Sequence, residues 1–127
     1  MIAVDTSAIM AIVFDEPQSD ACMMAIEEAD GLLISAATVA EALIVASRRN
    51  VGEEVSALIS GLGFEIVSVT AASARRVANA YSRWGKGVHP AALNYGDCFS
   101  YEVAKEHDCP LLYVGEDFVQ TDVRPAL

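Results

Sequence analysis

Met1-Ile2-Ala3-Val4-Asp5-Thr6-Ser7-Ala8 is a short apolar run that stops at an acid and passes directly into residues suited to a helix. The same grammar returns along the chain. Leu32-Leu33-Ile34-Ser35 follows the Asp30-Gly31 turn and precedes a helical pattern from Thr38 to about Asn50. Phe64 to Val69 is β-branched and follows Gly61 and Gly63, and Leu111 to Val114 is a last apolar run. Short apolar runs alternating with helical stretches specify βα units and a largely parallel sheet. The expected fold is therefore α/β: one domain over residues 1–127, with a central, mostly parallel sheet of four to five strands flanked by helices.

Between these strands, helices are expected at about Ser7 to Phe14, Ser19 to Ala29 and Glu53 to Ser60, with Pro17 separating the first two. Ala74, Val77, Ala78, Tyr81 and Trp84 fall on one helical face and are expected to pack in the core. Cys98, Tyr101 and Ala104 form a second stripe in a helix from Asp97 to His107. The tail, Gly115 to Leu127, is expected to hold a short turn or helix and a final edge strand. No repeat or low-complexity linker divides the 127 residues.

Composition narrows the function classes. With 54% hydrophobic residues the chain can bury a core. Its apolar stretches are broken by Asp5, Asp15, Asp30 or Glu41 well short of the roughly 18 residues of a membrane span. The N-terminus lacks a basic n-region and contains Asp5, so no signal peptide and a cytoplasmic location are expected. Cys22, Cys98 and Cys109 make no C-x-x-C pair and read as buried free thiols. A formal net charge of −10 excludes a plain basic nucleic-acid binder.

Eighteen acids become informative when sorted by position. In an open parallel sheet, residues at the carboxyl ends of strands and at the helix starts beyond them converge on one edge, where ligands bind. Asp5, Glu41, Asp97 and Asp117 meet that test. Each also has a structural explanation: Asp5 and Asn94-Tyr95-Gly96-Asp97 offer helix caps, and Thr38-x-x-Glu41 has capping-box spacing. Capping explains acids at helix starts, but it does not require four of them at one sheet edge. Gathered carboxylates repel and raise one another's pKa, and a hard divalent cation such as Mg²⁺ or Mn²⁺ relieves that repulsion through oxygen ligands.

Val4-Asp5-Thr6-Ser7-Ala8, Ser35-Ala36-Ala37-Thr38-Val39-Ala40-Glu41, Asn94-Tyr95-Gly96-Asp97-Cys98 and Leu111-Leu112-Tyr113-Val114-Gly115-Glu116-Asp117-Phe118 resemble the ordered motifs of PIN-domain ribonucleases. The VapC-type toxins of bacterial toxin-antitoxin pairs are the most similar group. The resemblance spans nearly the whole chain. It implies a metal-dependent endoribonuclease with Mg²⁺ or Mn²⁺ at a four-acid site. A homodimer, inhibited by a cognate VapB-type antitoxin whose tail covers the site, is also implied. Asp5, Glu41 and Asp97 match the three firmest acidic positions and Asp117 the fourth, with Glu116 and Asp122 able to share that role. Thr6 or Ser7 would orient Asp5, and Thr121 is placed with Glu116 and Asp122 in the supporting shell. In-line phosphodiester hydrolysis needs an activated water, charge stabilisation and leaving-group relief, all of which such a cation can serve.

An acidic protein can still meet RNA. Residues 66–96 contain no acid and hold Arg75, Arg76, Arg83 and Lys86, four of the eight basic residues. Arg83 and Lys86 lead into the loop before Asp97 and are the candidate phosphate contacts, with Trp84 or Tyr95 available to stack on an unpaired base. The alternatives are weaker. A receiver-like Mg²⁺-binding signalling module needs a late lysine, and none follows Lys105. Phosphate-binding glycine loops are missing, His89 and His107 sit in no triad context, and a catalytically silent PIN-like binding partner should have lost an acid.

Overall fold

The computed structural model describes all 127 residues. Strands β1 (Ile2–Val4), β2 (Leu32–Ser35), β3 (Glu65–Val67) and β4 (Leu111–Leu112) form one wholly parallel sheet in the order β3-β2-β1-β4. Helices α1 (Thr6–Val13), α2 (Ser19–Glu28), α3 (Ala36–Arg48), α4 (Gly52–Gly61), α5 (Ala71–Trp84) and α6 (Tyr95–Glu106) fill the connections. No helix is long and apolar enough to cross a membrane.

The period-two alternation of the strands builds two apolar layers. Ile2, Val4, Leu32, Ile34 and Leu112 face α1 to α4, meeting Ile9, Cys22, Ile26, Ala42 and Val55. Ala3, Leu33 and Leu111 point the other way, into a layer with Val77, Trp84, Leu93, Phe99 and Phe118. Because both faces are covered there, β1 and Leu32 to Ile34 of β2 are apolar throughout instead of alternating, whereas the edge strand β3 exposes Glu65 and Ile66. Helix α6 is buried from Asp97 to Ala104, so polar side chains there lie inside the protein. All three cysteines are free and buried, as their spacing suggests.

Three local expectations are corrected. The helix after β2 begins at Ala36, because Ser35 and not Thr38 is its cap: Ala37 N–H donates to Ser35 Oγ at 3.2 Å. Ladder pairing in β4 ends at Leu112, where Val114 N–H is diverted to Ser7 Oγ at 3.0 Å, and the tail adds only a single bridge, Leu111 to Pro125. The α5 stripe is aimed differently too. Ser73, Val77, Ala80 and Trp84 are buried, whereas Ala74, Ala78 and Tyr81 are exposed along an open apolar groove of about 730 Å³ shared with Tyr95 and Phe99 of α6.

From β1 the chain runs outward through β2 to β3 and then crosses back to β4 on the other side of β1. That reversal places a crevice beyond the carboxyl end of β1. Residue 5 stands there.

Candidate active site

Asp5 closes β1 and caps α1, with Ser7 N–H donating to its Oδ2 at 3.1 Å and Ser7 Oγ at 2.7 Å. The same Ser7 Oγ accepts Val114 N–H, tying the end of β4 to the start of α1. On the other oxygen, Ser100 Oγ of α6 donates to Asp5 Oδ1 at 2.5 Å. Ser100 has one hydroxyl proton, so Thr38 Oγ1, 3.3 Å away, is the donor in their contact. Three donors from two elements therefore fix the Asp5 carboxylate, which is 5% exposed.

Glu41 lies in the second turn of α3, deeper than the first turn expected for it, since the helix starts two residues before Thr38. Thr6 Oγ1 donates to Glu41 Oε1 at 2.6 Å. The two hydroxyls after Asp5 thus divide their work: Ser7 orients Asp5 and Thr6 holds Glu41.

Asp97 is the third residue of α6 and completes a capping box. Asn94 N–H donates to Asp97 Oδ2 at 3.0 Å, and Asp97 N–H donates to Asn94 Oδ1 at 2.8 Å. Burial pushes the Asp97 carboxyl up to about 7, against the lowering effect of Asn94, and the charges of Asp5, Asp117 and Glu41 add to the rise. These four acids therefore share one electrostatic neighbourhood. None is paired with a protein cation, whereas Asp30, Glu102, Glu106, Asp108 and Asp122 all are.

Among the three tail acids, Asp117 is the one whose charge reaches Asp97. Glu116 is exposed, and its charge acts on Tyr113. Asp122 is engaged elsewhere: it accepts from Tyr101 Oη at 2.6 Å and pairs with Lys105 at 3.3 Å and Arg83 at 3.6 Å. Although partial burial works the other way, Tyr101, Lys105 and Arg83 hold its carboxyl below the usual range. Thr121 donates to the Phe118 carbonyl at 2.8 Å, closing the turn instead of reaching the acids.

The basic stretch changes most in space. Arg76 is tied to Glu102 and Glu106, and Arg83 is held by Asp122 while its guanidinium lies over the Trp84 ring at 4.6 Å. Lys86 is exposed, makes no ion pair, and borders the apolar groove beside Tyr95. Trp84 is buried and donates to Tyr101 Oη at 3.0 Å, so of the two stacking candidates only Tyr95, 73% exposed, presents a ring to solvent.

Ser100 escaped the sequence reading as a site residue, although its i+3 spacing from Asp97 puts both on one face of α6. Gly96 escaped it as well. Cys98, beside the acids, is no rival nucleophile, because burial, with the Asp97 charge adding to it, pushes its thiol up to about 11.

The donor set is suited to a hard cation, being all oxygen. No three of the acids converge at direct ligating distance. One or two carboxylates with water between the ion and the rest is the arrangement Mg²⁺ ordinarily accepts.

The PIN domain family profile matches residues 2–124. Ribonuclease VapC30 of Mycobacterium tuberculosis is 40% identical over 125 residues, covering 96% of this chain and 95% of the relative. Among solved structures, the M. tuberculosis VapC20 toxin, described as cleaving the sarcin-ricin loop, superposes with a TM-score of 0.77 at 17% identity, over 98% of this chain and all of that one. A toxin-antitoxin complex from Klebsiella pneumoniae gives 0.70 at 18% identity, over 96% and 93%. With a family match over nearly its full length and a close relative of the same name group, the chain belongs to the PIN-domain family, as one of its VapC-type members.

Proposed function

We propose that this protein is a divalent-metal-dependent endoribonuclease toxin of a toxin-antitoxin pair, hydrolysing RNA phosphodiester bonds at Asp5, Glu41, Asp97 and Asp117. The observation that carries the reading is the set of four neighbouring carboxylates without a single protein counter-charge, in a chain that pairs five of its other acids. The ribonuclease name of the relatives supports the reaction class. Asp5 and Asp97 would hold Mg²⁺ or Mn²⁺, with Glu41 and Asp117 reaching it directly or through water.

A bound ion there supplies Lewis acidity for the phosphate oxygens and lowers the pKa of water. The chain's own residues do the positioning. Ser7 and Ser100 lock both oxygens of Asp5, Thr6 restrains Glu41, and Asn94 N–H fixes Asp97 Oδ2. Asp97 Oδ1 is left without a protein donor and is within reach of solvent. The proton lost by the attacking water passes to one of the four carboxylates. Cleavage by the purified protein should vanish in EDTA and return with added Mg²⁺ or Mn²⁺; cleavage that persists in chelator removes the metal from the proposal.

The partners proposed are an RNA substrate, a cognate VapB-type antitoxin and a second copy of the chain. The Klebsiella structure, described as a toxin-antitoxin complex, supports the second. A basic antitoxin segment would complement the same unpaired acids. For the substrate, Lys86 now stands ahead of Arg83 as the phosphate contact, because Arg83 already serves Asp122. Lys86→Ala should weaken RNA binding at low salt and reduce the slope of log affinity against log salt by about one. An unchanged slope would remove Lys86 from the interface.

A further inference from the structure

Gly96 occupies the first turn of α6, immediately before Asp97. Its backbone is ordinary helix and does not use the left-handed region that favours glycine. Glycine in that setting weakens a helix relative to alanine. A requirement for space explains it. A methyl group at residue 96 would overlap Glu41 Oε2 and approach Glu41 Cδ to 2.9 Å and Oε1 to 3.2 Å. The carboxylate of α3 therefore rests against the bare backbone at the N-terminus of α6, where the helix dipole favours an anion. Thr6 Oγ1 donates to its other oxygen.

We infer that Gly96 is a positioning residue: its missing side chain is the seat of the Glu41 carboxylate, and it sets where that carboxylate stands relative to Asp97. The obstacle a methyl would meet is the flexible end of a glutamate, so the chain can accommodate Gly96→Ala by swinging the carboxylate away from both Thr6 and the crevice. Folding survives that adjustment, while the geometry of the acids does not. The functional part rests on the metal-site reading above; the steric part does not.

Two measurements separate them. In the metal-free protein, Gly96→Ala placed in a Glu41→Ala background should raise Tm by about 3–5 °C, the gain of alanine over glycine in an open helical position. In the Glu41 background the gain should shrink or reverse, because the methyl breaks the Thr6–Glu41 hydrogen bond. Equal Tm gains in the two backgrounds would overturn the inference whatever the protein does with metal or RNA.

The second measurement is Mn²⁺ affinity, with no RNA present. Gly96→Ala should weaken it about tenfold, the scale on which supporting residues act at metal sites. Adding Glu41→Asp to that variant should recover part of the loss, since the shorter side chain withdraws its carboxylate from the methyl. The same Glu41→Asp change in the Gly96 protein should only weaken binding. Unaltered Mn²⁺ affinity in Gly96→Ala, or losses that simply multiply, would overturn the positioning role. Absence of Mn²⁺ binding in the unsubstituted protein would overturn the metal-site reading and leave the Tm comparison to decide the role of Gly96.

Discussion

Asp97→Asn should abolish RNA cleavage and, at pH 8 in EDTA, make the protein more stable. The two effects have one cause. The Asp97 carboxyl is pushed to about 7 by burial, with Asp5, Asp117 and Glu41 adding repulsion. Its pKa in the unfolded chain is near the ordinary 3.8. The folded protein therefore binds this proton more tightly than the unfolded chain does. The resulting stabilisation is complete below about pH 4 and is lost as pH rises through 7. A rise of that size corresponds to about 4 kcal/mol at the upper limit, and relaxation around the site brings the expected gain to about 1–3 kcal/mol. Asparagine keeps an oxygen for Asn94 N–H and turns a neutral donor toward the remaining acids. The Tm difference between variant and parent should be near zero at pH 4, open with rising pH, and close again when Mg²⁺ or Mn²⁺ is added to the parent. A difference independent of pH would show that Asp97 carries no such strain. On the proposed role of Asp97 in holding the ion, cleavage should fall about a thousandfold or more, since a bound ion supplies several kcal/mol of charge stabilisation.

Capping and catalysis are competing explanations of the same acids when only spacing is visible. In the folded chain they are compatible, because a carboxylate has two oxygens. Asp97 uses Oδ2 to close its capping box and keeps Oδ1 free. Asp5 caps α1 with Oδ2 while Ser100 takes Oδ1. The helix start fixes the acid in place, and the acid then faces its neighbours at the sheet edge. A strong cap is no argument against a site.

The architecture was legible because strands buried on both faces must be apolar throughout, and because helices of ten or more residues announce themselves by periodicity. What stayed hidden depends on contacts distant in sequence. The end of β4 is decided by Ser7, more than 100 residues away. The buried face of α5 is not readable from spacing, because alanine fits both a core and a groove wall and Ala74 and Ala78 look no different from Ala80. Charge along the chain misled in a similar way. Residues 66–96 hold no acid, yet α6 and the tail supply Glu102, Glu106 and Asp122 to two of the four cations. Acids at strand ends were readable as candidates because topology alone gathers them. Ser100 and Gly96 were not, since one matters for a single hydroxyl and the other for an atom it lacks.

Phe118→Ala should cost about 3–5 kcal/mol and lower Tm by roughly 10–20 °C. Phe118 is 2% exposed, its ring lies 5.1 Å from that of Tyr113, and it belongs to the core layer with Leu111 and Val123. No other side chain of residues 115–120 is buried, so this ring anchors the turn that carries the exposed Asp117. Thr121 donates twice to the Phe118 carbonyl, bonds that move with it, and accepts Val123 N–H beyond the turn. The loss would be a large fraction of the stability of a domain this size. Below its lowered Tm the variant should still cleave poorly, because Asp117 has no hydrogen bond or ion pair of its own to hold it near Asp97. Asp117→Asn separates the two contributions: Tm should move by no more than a degree or two, while cleavage falls. If Asp117→Asn cleaves normally and Glu116→Gln does not, the fourth acid is Glu116, and the anchoring role of Phe118 then applies to Glu116 on the same turn.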